Sequence, residues 1–157
     1  MSYPGRCNCG KFVFKAPAAQ GIAACFCKCC TRAGGSLCSL NAVIPVNSLE
    51  FSKGSYNELS TYDDQETTSG SPMTRYFCGG CGSAFQSVPQ GSEIAYFKHS
   101  LLDDPVGYVS GNPPNMVLFT SKAPKWLESE KTPLSGGGST PLTWPEPGKG
   151  TEYKDQQ

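Results

Sequence analysis

Nine cysteines in 157 residues are the part of this sequence with most chemistry to offer, and seven of them fall into two groups. Cys7-Asn-Cys9-Gly10 and Cys78-Gly-Gly-Cys81-Gly82 are two knuckles, each followed by glycine, in which a tight turn can aim two thiolates at one point. Together they supply four ligands. A tetrahedral zinc ion with four thiolates is saturated and offers a substrate no open position, so Cys7, Cys9, Cys78 and Cys81 read as a closed structural site. The knuckles lie about seventy residues apart, so one ion would fasten the N-terminus to the middle of the chain. A structural zinc bound with on the order of 10 kcal/mol would then supply much of the stability of a small domain.

Between the knuckles lies Cys25-Phe-Cys27-Lys-Cys29-Cys30-Thr-Arg32, where an apolar strand, Ile22-Ala-Ala, runs into a short helix. In extended chain Cys25 and Cys27 point to one side, and in the first helical turn Cys27 and Cys30 share a face, so Cys25, Cys27 and Cys30 can converge while Cys29 projects elsewhere. Three protein ligands leave a tetrahedral zinc one position short, which is the mark of a catalytic site. Water, hydroxide or an added thiolate could fill it. The competing reading is that Cys29 or Cys38 completes a second closed site without chemistry.

The elements that must position these thiols are short. Glycine and proline number 18 and 13, about a fifth of the chain against a usual total near 12%, so turns are frequent and long helices scarce. Runs of β-type residues recur at 11–15, 39–46, 73–77, 83–88, 94–98 and 116–120, most bounded by turn residues, and predict a mainly β domain. Two short helices are expected, from Lys28 to Ala33 ended by Gly34-Gly35, and near Pro124 to Glu130. The polar segment from Tyr62 to Pro72 reads as a loop between strands. The predicted division is a zinc-binding β domain over residues 1–131 and a Gly/Pro-rich tail over 132–157, where Trp144 either pins the tail or stands exposed.

Thirteen basic residues balance thirteen acidic ones with no concentrated Lys/Arg patch, which argues against nucleic acid or an anionic membrane as partner. With no signal-peptide h-region and no run of about 20 apolar residues, a cytoplasmic location is expected. In that reducing compartment clustered cysteines more often bind metal than pair as disulfides.

The run Gly5-Arg-Cys7-Asn-Cys9-Gly10, then Cys25-x-Cys27-x-x-Cys30 with Gly34, then Arg75-Tyr-Phe-Cys78-Gly-Gly-Cys81-Gly-Ser83 resembles the glutathione-dependent formaldehyde-activating enzyme family, which also includes centromere protein V. The resemblance continues through Leu101-Leu-Asp103-Asp104-Pro105 and Ser121-Lys-Ala-Pro124-Lys-Trp126. It implies a β-tent fold of stacked antiparallel sheets and two zinc ions per chain. One would be structural on Cys7, Cys9, Cys78 and Cys81, the other catalytic on Cys25, Cys27 and Cys30. It also implies carbon–sulfur lyase activity that interconverts formaldehyde plus glutathione with S-hydroxymethylglutathione. Two positions depart from the family pattern: Phe26 stands where the family usually has His, and Cys29 is an additional thiol.

The reading is thus a zinc-dependent enzyme acting on glutathione or another small thiol or carbonyl compound. The alternatives are a non-catalytic zinc-stabilised binding module, or the same chemistry on a larger secondary metabolite. Lys28 and Arg32 flank the motif as candidates to hold the carboxylates of glutathione, or as solvated surface cations. His99 is the only histidine and the natural proton carrier near neutral pH, although a structural role is favoured for it. Asp103-Asp104-Pro105 reads as a turn ahead of a catalytic carboxylate, and Trp126 as core packing ahead of a pocket wall.

Overall fold

The computed structural model describes residues 1–111 and 113–124, and the tail, Trp126, Trp144 and most of the helix expected near Pro124–Glu130 lie outside them. Ten strands and two short helices follow the order β1 (Ser2–Arg6), β2 (Val13–Pro17), β3 (Gly21–Cys25), α1 (Lys28–Gly34), β4 (Ser39–Pro45), β5 (Glu50–Lys53), β6 (Ser60–Asp64), β7 (Met73–Phe77), β8 (Ala84–Pro89), β9 (Ile94–Phe97), α2 (Pro105–Ser110) and β10 (Met116–Leu118). They form a three-stranded sheet, β1-β2-β5, and a seven-stranded sheet, β10-β3-β4-β9-β8-β7-β6. The protein is mostly β, as its composition predicts.

The two sheets meet across an aromatic core. In β2 alternate residues Phe14 and Ala16 are buried while Lys15 is exposed, the period of two that a one-sided strand requires. Phe12 and Phe14 pack on Phe85 of β8 at ring distances of 5.5 and 5.4 Å, and Phe14 packs on Phe97 of β9 at 5.8 Å. Such tilted and edge-on contacts suit the aromatic quadrupole and add to the burial of apolar area.

The sheets are antiparallel with one exception: β10 pairs parallel to β3, Met116 opposite Ala23 and Leu118 opposite Cys25. The stacked antiparallel sheets implied by the resemblance thus carry one parallel edge pairing. Asn115 sets the pairing by linking to both sides of Ile22, its backbone N–H donating to the Ile22 carbonyl (3.0 Å) and its side-chain oxygen accepting from the Ile22 N–H (2.9 Å).

Three strands escape the apolar pattern. In β1, Pro4 is tolerated because β1 is an edge strand of the smaller sheet. In β5, Phe51 is the single aromatic among Glu50, Ser52 and Lys53. The segment predicted as a loop from Tyr62 is strand as far as Asp64, since β6 is the edge of the larger sheet and its polar side chains are held by β7. Thr74 donates to Asp63 (2.7 Å), and Arg75 to Asp64 through Nη2 (2.6 Å) and Nε (2.9 Å). Only 65–72 remain as a connecting loop.

Alternation also divides the larger sheet by function. One face carries Ala42, Ile44, Ala95 and Phe97 into the aromatic core. The opposite face carries Asn41 of β4, Tyr96 of β9 and Ser87 of β8, which together with Arg75 of β7 line a cavity. The register places Asn41 beside Ala23, and Ser87 beside both Tyr96 and Arg75. No helix among the described residues is long and apolar enough to cross a membrane.

Candidate metal centres

The first four thiols converge from two turns. After β1, the Gly10 N–H donates to the Cys7 carbonyl (3.0 Å), with Gly10 at φ +69°, a left-handed conformation that favours glycine. After β7, the Gly82 N–H donates to the Cys78 carbonyl (2.8 Å), with Gly82 at φ +73°. Both knuckles thus close on a left-handed glycine, the first over three residues and the second over four. Cys7 Sγ lies 3.5 Å from Cys9 Sγ, which lies 3.7 Å from Cys78 Sγ, and all four sulfurs are within 4.8 Å of one another. Four sulfurs around a zinc ion at about 2.3 Å would stand roughly 3.8 Å apart, so the cluster fits such an ion.

Polar hydrogens already face these sulfurs. The Phe12 N–H donates to Cys7 Sγ (3.4 Å), and hydrogen bonds from the Ser83 hydroxyl and N–H lower the Cys81 thiol pKa to about 5. A backbone bond from the Asn8 N–H to Ser83 Oγ (3.2 Å) ties one knuckle to the other.

The second cluster forms where β3 meets α1. Cys25 ends the strand, Cys27 caps the helix with its sulfur accepting from the Cys30 N–H (3.3 Å), and Cys30 sits in the first turn. Their three sulfurs lie within 4.8 Å of one another. The helix ends at the predicted glycine pair, with Gly35 in the left-handed conformation at φ +59° and its N–H on the Thr31 carbonyl. Hydrogen bonds from Cys25 and Cys30 to the Cys27 sulfur lower the Cys27 pKa, and the contacts of Cys25 with Cys27 and Cys30 raise its own. This is the behaviour of three thiols crowded enough to share charge, the arrangement that a cation relieves.

Cys29 stays outside the group. Its S–H points to the Glu66 carbonyl (3.4 Å) and lies 3.7 Å from Thr68 Oγ1, both in the loop between β6 and β7. Cys38 likewise does not join the cluster. All nine cysteines are free thiols.

The three sulfurs form one wall of a cavity of about 230 Å³. Its rim is hydroxyl-rich, with Thr67, Thr68, Ser69 and Ser71 from the 65–72 loop, and its floor carries two cations, Lys98 and Arg75. Lys98 is buried and donates to Ser39 Oγ and to Asn41 Oδ1 (2.5 Å). Burial pushes its pKa down, while the nearby Cys30, Cys25 and Cys27 push it up and Arg75 adds to the lowering. Arg75 is braced by Asp64 on one side and by Ser87 Oγ (3.2 Å) on the other.

Lys28 and Arg32, the cations singled out from the motif, are exposed on α1 and are not among the residues lining the cavity. His99 is buried on the other side, stacked on Tyr108 with rings 6.4 Å apart and 11° from parallel, and burial lowers its pKa. Asp104 caps α2 by accepting from the Gly107 N–H (2.8 Å), a structural task consistent with the turn reading.

Lys98 was missed although strand parity carried the signal. In Tyr96-Phe97-Lys98-His99 alternate residues face opposite ways, so Lys98 shares the cavity face with Tyr96 and His99 departs with Phe97.

Fold and sites thus define a cysteine-rich, two-sheet β protein with one four-thiol cluster and one three-thiol cluster beside an open cavity. The family model for the glutathione-dependent formaldehyde-activating enzyme matches residues 2–122, and the chain belongs to that family. No curated protein matches it. Among solved structures it is similar to a Rhodobacter sphaeroides protein, at 20% identity and a TM-score of 0.49 over 64% of this chain and 87% of that one.

Proposed function

We propose that the protein is a zinc-dependent carbon–sulfur lyase that makes and breaks the bond between a small thiol and an aldehyde, with glutathione and formaldehyde as the reference pair. The observation that supports this most is that three thiols, not four, converge at the wall of a cavity. Cys25, Cys27 and Cys30 would hold a zinc ion whose remaining position accepts the substrate's sulfur, keeping it ionised at neutral pH. Cys7, Cys9, Cys78 and Cys81 would hold a second, structural ion.

The chain's own residues frame the reaction. The hydroxyl rim and Tyr96 bound the space beside the thiols, and Arg75 and Lys98 make that space favourable for negative charge. A thiolate sulfur attacks the aldehyde carbon, the C–S bond forms, the carbonyl π pair moves to oxygen, and that oxygen takes a proton from water. In reverse the same groups release thiol and aldehyde. A reducing compartment would keep the cysteines as thiols and suit this chemistry.

Free thiol should disappear from a mixture of glutathione and formaldehyde faster with catalytic amounts of protein than without. Quenching timed samples with a thiol-reactive dye measures this. Cys30→Ser should lose the whole acceleration. A wild-type rate equal to the spontaneous one would favour a binding module instead.

A further inference from the structure

We infer that Lys98 is the oxyanion donor of the three-thiol site, holding the substrate oxygen attached to the carbon that bonds to sulfur. The inference rests on the proposed thiol–aldehyde chemistry and assigns it a residue on the cavity floor.

A lysine ammonium has three N–H donors. Two are spent on Ser39 Oγ and Asn41 Oδ1, and these two acceptors are themselves fixed, Ser39 donating to Asn41 Oδ1 (3.0 Å) and Asn41 Nδ2 to the Ser39 carbonyl (2.9 Å). The head group is therefore held in place with one donor left, and it lines the cavity that the three cysteines also line. Arg75 keeps two of its five N–H donors, but its charge is already offset by Asp64, whereas both partners of Lys98 are neutral.

Charge supports the assignment. Three thiolates and a divalent zinc ion sum to a formal charge of −1, which opposes a further negative oxygen nearby. A buried cation close to Cys25, Cys27 and Cys30 cancels that charge in a region of low dielectric, where it acts strongly. When the carbonyl π pair moves to oxygen, the remaining N–H donates to the new alkoxide. No reorganisation is needed, since Ser39 and Asn41 already fix the donor. Substrates would therefore be thiol adducts with oxygen on the sulfur-bearing carbon; simple thioethers would bind weakly.

Thioacetate tests this directly, because its sulfur and oxygen share one carbon, whereas ethanethiol has no such oxygen. With cobalt in the three-thiol site, absorption reports the affinity of each. The thioacetate-to-ethanethiol preference of the wild type should exceed that of Lys98→Met by roughly 10- to 100-fold, the worth of a hydrogen bond to a charged group. Comparing the two proteins cancels the different acidities of the probes. The kcat for hemithioacetal formation should fall by roughly 10²-fold at unchanged ethanethiol affinity. Lys98→Gln, which retains a donor for Asn41, is the second variant and should show the same loss.

A folded variant of either kind with an unchanged preference and rate would overturn the role of Lys98 alone. No response of wild-type cobalt protein to either thiol would overturn the reading beneath it as well. If neither variant folds, the Lys98 ζ-nitrogen resonance in the wild type decides: it should move with thioacetate and stay with ethanethiol, and equal behaviour would contradict the proposal.

Discussion

Cys78→Ser is expected to leave the chain insoluble or largely unfolded. Cys78 is fully buried, and its knuckle follows β7 of the larger sheet while Cys7 and Cys9 follow β1 of the smaller one. A zinc ion there would tie the two sheets at a single point. Binding to such sites is worth about 10–16 kcal/mol, comparable with the whole stability of a domain at about 5–15 kcal/mol. Loss of one of four ligands weakens that bond and also leaves a polar hydroxyl in a fully buried position. Circular dichroism and melting curves measure the outcome. A Cys78→Ser protein with a native-like melt would remove the structural role from this cluster.

Cys30→Ser and Cys29→Ser should part company although the residues are adjacent. Cys30 shares its cluster with Cys25 and Cys27, so its serine variant should lose one zinc per chain and all catalytic acceleration. The fold should survive, because this cluster lies on the cavity side of the larger sheet and away from the aromatic core. Cys29 is turned to the Glu66 carbonyl, and its serine variant should keep both ions. Metal analysis on the two purified variants suffices. Were Cys29→Ser to lose an ion while Cys30→Ser kept both, the ligand assignment would be wrong by one residue. A requirement for both would mean a closed site and a binding module.

Local pattern made much of this legible. The stretch Met73–Phe77 is strand over its full predicted length, and the helix after Cys27 ends at the glycine pair that marks its stop. The three-thiol group was readable because it depends on alternation and one helical turn, and the two knuckles because each is a local turn, although their meeting spans sixty-nine positions. The parallel pairing of β10 was not, since it depends on Asn115 meeting Ile22 across ninety-three positions. Nor was β6, whose residues Ser60–Asp64 are polar and owe their strand conformation to β7.

The cavity's cations show a subtler limit. Proximity along the chain favoured Lys28 and Arg32, but a strand neighbour can bring a distant residue closer than a helical one. Lys98 reaches the site because β9 lies beside β4, which lies beside β3 and its terminal Cys25. Only the order of strands in the sheet carries that information.

The central claim is that the three-thiol site accepts a fourth sulfur and the four-thiol site does not. With cobalt in place of zinc, millimolar glutathione should change the thiolate-to-cobalt absorption of the wild type. The change should vanish in Cys30→Ser, whose remaining cobalt sits on Cys7, Cys9, Cys78 and Cys81. A wild-type spectrum indifferent to glutathione would contradict the account.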